Sequence, residues 1–207
     1  MFRPASNESG FFDRTSVEVA PALLGARFTR HSSLGDVSLR ITEVEAYLGV
    51  GEDPGSHSFR GRTARNAVMF GPPLHLYTYF TYGMHVCANI VCSPEGQASA
   101  VLLRAGEIVA GVEYARSNRG EQVTNRDLAR GPARLTKAMG IPLSDDGADL
   151  MGAVYTLELV DQVQDVGTSV RTGVSGPGGL AEYPWRFFIP DDPTVSPYRA
   201  SVPRRRT

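Results

Sequence analysis

The 207 residues carry a formal net charge of −1, a pI near 6.4 and 42% hydrophobic side chains. That is enough chain for one real core, and the net charge by itself does not suggest a nucleic-acid binder. No apolar run is long enough for a signal peptide or a bilayer span, so a cytoplasmic protein with no membrane partner is expected.

The charge is less even than its sum. Residues 60–137 hold ten basic and five acidic side chains, and residues 138–203 hold three basic and nine acidic ones. A basic middle and an acidic remainder either make one positive face or scatter over the surface. The two cysteines, Cys87 and Cys92, are too few for a four-ligand metal site, and no CxxC or HExxH occurs. Reduced thiols and no metal or cofactor are expected.

In chain order, residues 1–12 read as a loose terminus. Thr15-Ser16-Val17-Glu18 fits a capping box opening a short helix, Gly25 is a good stop, and Pro21 marks a kink or second start. Strands follow over 26–29 and 37–47, around a turn at 31–35. In the second strand Val37, Leu39 and Ile41 alternate with Ser38, Arg40 and Thr42, so the odd residues point inward. The same parity turns Glu43, Glu45 and Tyr47 inward. A buried, unpaired carboxylate has a raised pKa and is a candidate acid or base. The competing reading is a bulge near Glu43 that flips the parity and sends both carboxylates to solvent.

Residues 49–57 form a loop by composition. His57, a solvated loop histidine by default, gains interest from Arg60, Arg62 and Arg65 close behind it. Residues 74–81 and 85–92 read as two strands of a hairpin with Tyr82-Gly83 at the turn, Gly83 being free to take positive φ. A ring at such a tip either folds back on its own strands or projects toward a partner, as wedges do into a base stack. Ser99 to Ala105 is a buried strand ending in Arg104, which needs a carboxylate or phosphate partner. Gly131-Pro132 opens a helix to Met139, with Gly140 as its stop. Its first-turn amides, with Arg134 and Lys137, suit a phosphate or are ordinary surface. Further strands are expected over 151–160, 166–174 and 185–189, then a loose tail over 200–207 ending in Arg204-Arg205-Arg206. The order of elements predicts an α+β fold with a mainly antiparallel sheet, in one domain over 1–207.

Several segments in this order and spacing resemble one family. They are Thr42-Glu43-Val44-Glu45-Ala46-Tyr47-Leu48-Gly49, His57-Ser58, and Arg62-Thr63-Ala64-Arg65-Asn66 with Met69-Phe70. Next come Leu76-Tyr77-Thr78-Tyr79, Tyr82-Gly83-Met84, Asn89, Val101 to Ala105, Gly131 to Leu135 and Pro184 to Phe188. The family is that of alkyladenine (3-methyladenine) DNA glycosylases of base-excision repair, and the likeness covers about residues 16–199. It implies a compact single domain: a curved sheet, surrounding helices and a protruding hairpin. The implied activity is monofunctional, with a damaged purine flipped from duplex DNA and its N-glycosidic bond hydrolysed. By matching position, Glu45 is the implied general base, and Tyr47, His57 and Tyr79 the implied sandwich around the flipped base. Asn89 is implied to line the pocket and Arg104 to hold the flipped nucleotide. Tyr82 is implied to fill the gap in the duplex, with Thr63, Arg65 and Met84 near the DNA. No cofactor, metal or obligate protein partner is implied. The loop before His57 is one residue longer than in the vertebrate members, and His85 stands where they carry an aromatic residue.

The chemistry of the residues agrees with that picture. A stacked base must leave the duplex at a cost of roughly a few kcal/mol before C1′ can be attacked. A cationic alkylated purine gains about 1–2 kcal/mol from desolvated rings such as Tyr47 and Tyr79, and it is a good leaving group. An oriented water and an ionised carboxylate then suffice, so Glu45 is expected to have a backbone amide or Arg104 as partner. The alternative is a small-molecule glycoside hydrolase using Glu43 and Glu45 as a pair, since residues two apart on a strand lie roughly 6.5–7 Å apart. Glu43 is otherwise structural. Lys137 is the only lysine and lies away from the aromatic segment, so lyase chemistry through a side-chain Schiff base is not expected.

Overall fold

The computed structural model describes residues 2–7, 10–81, 83–161 and 165–201. Tyr82 and the Arg204–Arg206 run lie outside the described residues. The strands are β1 (Phe2–Pro4), β2 (Arg27–Arg30), β3 (Val37–Tyr47), β4 (Leu76–Thr81), β5 (His85–Val91) and β6 (Ala100–Ala110), then β7 (Tyr155–Val160), β8 (Gly167–Ser169) and β9 (Arg186–Phe188). They form one open antiparallel sheet in the order β1-β7-β2-β3-β6-β5-β4, with β9 on β3 and β8 on β9. Helices α1 (Ser16–Val19), α2 (Val112–Arg119) and α3 (Pro132–Met139) lie around it, giving the single compact α+β domain that the pattern predicts.

The long strand β3 organises the rest because its two halves have different neighbours. Val37–Arg40 pairs with β2; from Glu43 to Glu45 that edge passes to β9. The hand-over coincides with a double slip against β6. Ile41 faces Gly106 and Glu43 faces Ala105, so β3 has one extra residue; Val44 then faces Leu103, so β6 has one extra residue at Arg104. The bulge anticipated near Glu43 is therefore real, and it flips the parity. Val37, Leu39 and Ile41, then Val44 and Ala46, join the main hydrophobic core. Glu43, Glu45 and Tyr47 fall on the other face.

That other face is not solvent. The Thr172 and Ser196 amides and the Arg104 and Arg186 side chains meet the two carboxylates there, and both Glu43 and Glu45 are fully buried. Both sequence readings of β3 need correction. The carboxylates do not point into the apolar core, and the bulge does not expose them.

The helical start behaves as its residues dictate. Thr15 and Glu18 close a capping box, with the Glu18 carboxylate accepting from the Thr15 amide at 3.0 Å, and Pro21 opens a 3-10 turn over Ala20–Leu23. The first twelve residues, expected to be loose, are tied down where they are described. Phe2–Pro4 pairs with β7, and Phe12 is fully buried in the core. Helix α3 starts at Pro132 and ends on Gly140 at φ 67, as expected. Helix α2 and the 3-10 segment Ala64–Phe70 were not anticipated. Arg and Asn dilute the apolar stripe of α2, and a 3-10 run has no 3.6-residue period to detect. The late strands are shorter than expected: β7 starts at Tyr155, and β8 covers only three residues.

Candidate active site

The sheet register assembles the site. Residues directly opposite one another across an antiparallel pair share a face. Glu45 faces Leu102, Leu102 faces Asn89, and Asn89 faces Tyr77. This row of four strands, with Tyr79 opposite Cys87 beside it, floors a pocket of about 400 Å³. Tyr47, His57, Tyr77, Tyr79, Asn89 and Arg104 line it, closed at the side by residues 54–56 and 172–175. A volume of this size suits a small planar ligand. Every substrate-pocket residue implied by the resemblance is thus on one cavity.

The rings are mutually braced. His57 and Tyr79 meet edge to face with centroids 4.5 Å apart, and Tyr77 lies 5.5 Å from Tyr79. His57 Nδ1 shares a hydrogen bond of 3.0 Å with the Tyr77 hydroxyl. Burial against the protein, then the nearby Arg65 charge, pushes the His57 pKa below its ordinary value, which favours a neutral imidazole. Burial raises the Tyr77 pKa to about 12 and that of Tyr47 well above normal, so both phenols stay protonated. Asn89 donates to the Tyr77 carbonyl at 3.0 Å, which fixes its amide on the pocket floor. Cys87 is a buried free thiol whose pKa is pushed up to about 11 by burial, and Cys92 is buried too.

The two acids of β3 have different surroundings. Glu43 Oε1 accepts from Arg104 Nε at 2.7 Å, Arg186 Nε at 2.7 Å and Ser196 Oγ at 2.9 Å, and its Oε2 accepts from the Ser196 amide at 2.7 Å. Burial opposes its charge, yet Arg104 and then Arg186 hold its pKa below the usual carboxylate value. Glu45 Oε1 accepts from the Thr172 amide at 2.6 Å, and its Oε2 accepts from the Tyr47 hydroxyl at 2.8 Å and lies 3.2 Å from Arg104 Nη1. Both partners expected for Glu45, a backbone amide and Arg104, are present. All three of its donors belong to pocket-lining residues. The carboxylate therefore sits immediately behind the wall, one side chain from the cavity. Arg104 bridges both acids and is nearly fully buried, its charge reinforced by Glu45 and Glu43 against the cost of burial.

The other residues named from the sequence form a rim. Thr63 and Arg65 are exposed at the start of the 3-10 segment Ala64–Phe70, where the Asn66 side chain accepts from the Thr63 amide at 2.6 Å. Arg65 donates to the Phe80 carbonyl at 3.1 Å and lies 5.7 Å from the Tyr79 ring centroid. Thr81 pairs with His85, so three residues rather than two separate the paired ends of the hairpin. Gly83 takes φ 70, and Met84 is 72% exposed. Phe80 is half exposed on the same hairpin. Lys137 is exposed on α3 and does not line the pocket. Among the described residues, no three His, Cys, Asp or Glu side chains gather as a metal site.

Comparison with known proteins fits this geometry. The family model described as methylpurine-DNA glycosylase (MPG) matches residues 10–193. The chain belongs to this family. Relatives with the provisional name 3-methyladenine DNA glycosylase include one from Leifsonia xyli, 58% identical over 91% of this chain and 90% of its own length. One from Streptomyces avermitilis is 55% identical over 95% and 93%, and one from Cutibacterium acnes 47% identical over 87% and 94%. Membership makes this methylpurine-DNA glycosylase chain a hydrolase of N-glycosyl bonds whose substrate is DNA. No helix among its described residues is long and apolar enough to cross a membrane.

Sequence reasoning missed three site residues in this glycosylase. Arg186, which completes the Glu43 cage, lies on a strand that the sequence marks only as apolar. Tyr77, the partner of His57, was read as one of several aromatics. Arg171 is fully buried and pairs with Asp53. A lone Arg between Val and Thr is the available signal, because an Arg in an apolar stretch needs an acid.

Proposed function

We propose that this glycosylase flips an alkylated or deaminated purine out of duplex DNA into the pocket and hydrolyses its glycosidic bond with a water activated by Glu45. The observation that carries the reading is the placement of a fully buried, ion-paired carboxylate directly behind a pocket walled by Tyr47, His57 and Tyr79.

The chemistry follows from the parts. Tyr47 on one side, with His57 and Tyr79 on the other, supply stacking surface for the flipped base, offsetting part of the roughly few kcal/mol lost on unstacking. Arg104 beside one oxygen of Glu45 and the Thr172 amide on the other fix the carboxylate in place. Ionised, Glu45 takes the proton from a water as it attacks the oxocarbenium-like anomeric carbon, and the base leaves with the glycosidic electron pair. Asn89, pinned on the floor, presents its amide edge to the base. Tyr82 enters the space that the base vacates, and Thr63, Arg65 and Met84 meet the DNA around the opening. Glu43, with both oxygens engaged by four donors, serves structure; this argues against the paired-carboxylate sugar hydrolase. Lys137 stands outside the pocket, so the strand is left intact at the abasic site.

The test is a set of duplexes, each with one lesion (3-methyladenine, 7-methylguanine, hypoxanthine or ethenoadenine), assayed by chromatography for free base and by gel for strand breaks. The reading expects free base from at least one duplex, with strand scission only after added alkali. Cleavage of free nucleosides as readily as duplex, or scission without alkali, would sink it.

A further inference from the structure

The buried pair Arg171–Asp53 lies outside the roles above, although it contacts the end of β3, the loop ahead of His57 and the Tyr47 ring. Arg171 Nη1 donates to Asp53 Oδ2 at 2.6 Å and to the Ala46 carbonyl at 2.9 Å; its Nη2 donates to Asp53 Oδ1 at 2.7 Å and to the Gly178 carbonyl at 2.7 Å. Asp53 in turn accepts from the Gly55 amide at 2.8 Å and the Leu48 amide at 3.2 Å. The guanidinium also lies over the Tyr47 ring, 4.5 Å from its centroid. It is fully buried and does not line the pocket, so it backs the ring from behind.

Three segments meet at this fork. One is the end of β3, held at the carbonyl of Ala46, the residue between Glu45 and Tyr47. The second is the loop ahead of His57. The third is the loop carrying Thr172, whose amide sits on Glu45. Burying a full ion pair is seldom justified by stability alone, because desolvation offsets much of the attraction. A bidentate fork does fix geometry. We propose that Arg171, locked to Asp53, is a positioning residue for base excision, setting the Thr172 amide against Glu45 and the Tyr47 ring against the flipped base.

The inference rests on the glycosylase reading, and its test separates the two. The double variant Asp53→Asn/Arg171→Gln removes both charges together and leaves neither buried alone. Gly55→Ala keeps both charges and crowds the fork, since an added Cβ would lie 2.6 Å from Arg171 Nη2 and 2.9 Å from Val174 Cγ1. Each is compared with wild type, on whichever of the four lesion duplexes wild type excises fastest, for the saturating single-turnover rate. Binding to a duplex with a tetrahydrofuran abasic mimic and the melting temperature are measured alongside. Misplacement by about an ångström is worth on the order of 100-fold in rate. The double variant is expected to lose about that factor and Gly55→Ala about tenfold, with mimic binding within about threefold of wild type and the protein folded at the assay temperature. Rates within twofold of wild type overturn the proposal, as does a rate and a mimic affinity that fall by the same factor. A wild-type protein that releases no base overturns the glycosylase reading first.

Discussion

Glu43 and Glu45 stand two residues apart on one strand, both fully buried, and share Arg104, yet they belong to two different regions. The Glu43 region is closed, with two guanidinia, an amide and a hydroxyl saturating the carboxylate, all from residues that pack rather than line the cavity, Arg104 excepted. The Glu45 region is half open, since its donors form the pocket wall. Burial alone does not separate a structural acid from a reactive one. The partners do, by being spent on each other or by facing a ligand space.

The comparison breaks most sharply at Glu45. Glu45→Gln keeps the shape and removes the proposed base, so the single-turnover excision rate is expected to fall by about 10²–10⁴-fold with little change in melting temperature. Equal losses of rate for Glu45→Gln and Glu43→Gln would erase the distinction.

Glu43→Ala should act on stability instead. It leaves Arg104 and Arg186 buried without their shared anion, a loss of about 3–5 kcal/mol by denaturant unfolding. The sign with pH follows from the lowered pKa of Glu43. Its stabilisation is complete above the ordinary carboxylate value of about 4.5 and is lost as pH falls through the lower folded value. A Glu43→Gln protein should therefore lose less stability than wild type between pH 4.5 and pH 2.

His57 sharpens the half-open side. Its imidazole should titrate below 6.5 by NMR, and Arg65→Gln should move the midpoint upward by relieving the second cause of the shift. The neutral ring contributes stability above pH 6.5 that is lost as pH falls through the lowered value. Tyr77→Phe removes the hydrogen bond to His57 and should cost about 1 kcal/mol of stability. Smallest is Thr172→Val. The Thr172 hydroxyl is buried without a hydrogen-bond partner among the described residues, so a methyl in its place should be neutral or stabilising by up to about 1 kcal/mol. A marked loss of excision with that variant would assign the hydroxyl a role in holding water.

Much of this was legible in the sequence. Alternation over 37–41 and 76–81, the Thr15–Glu18 capping box and the Gly131-Pro132 start each act within a few residues, and each gave its element. The family resemblance named Tyr47, His57, Tyr79, Asn89 and Arg104, which line one pocket, and Glu45, which lies directly behind its wall. The side of β3 that carries Glu45 was not legible from parity. It depends on two bulges and on β9 replacing β2, which are decided by pairings 59 or more residues apart. The partners of Arg171 and Arg186 were not legible for the same reason: their acids are 118 and 143 residues distant. The tie of Phe2–Pro4 to β7 is likewise a long-range pairing that the polar start of the chain does not announce.

The central claim is that the half-open acid and the braced rings act on one nucleotide. The most direct measurement is a crystal structure with a duplex carrying a non-hydrolysable analogue of a damaged purine nucleotide. The account predicts the base between Tyr47 and the His57/Tyr79 pair, with a water held by Glu45 within about 3.2 Å and facing the anomeric carbon. A base still stacked in the helix, or an anomeric carbon far from Glu45 with Glu43 nearer, would contradict it.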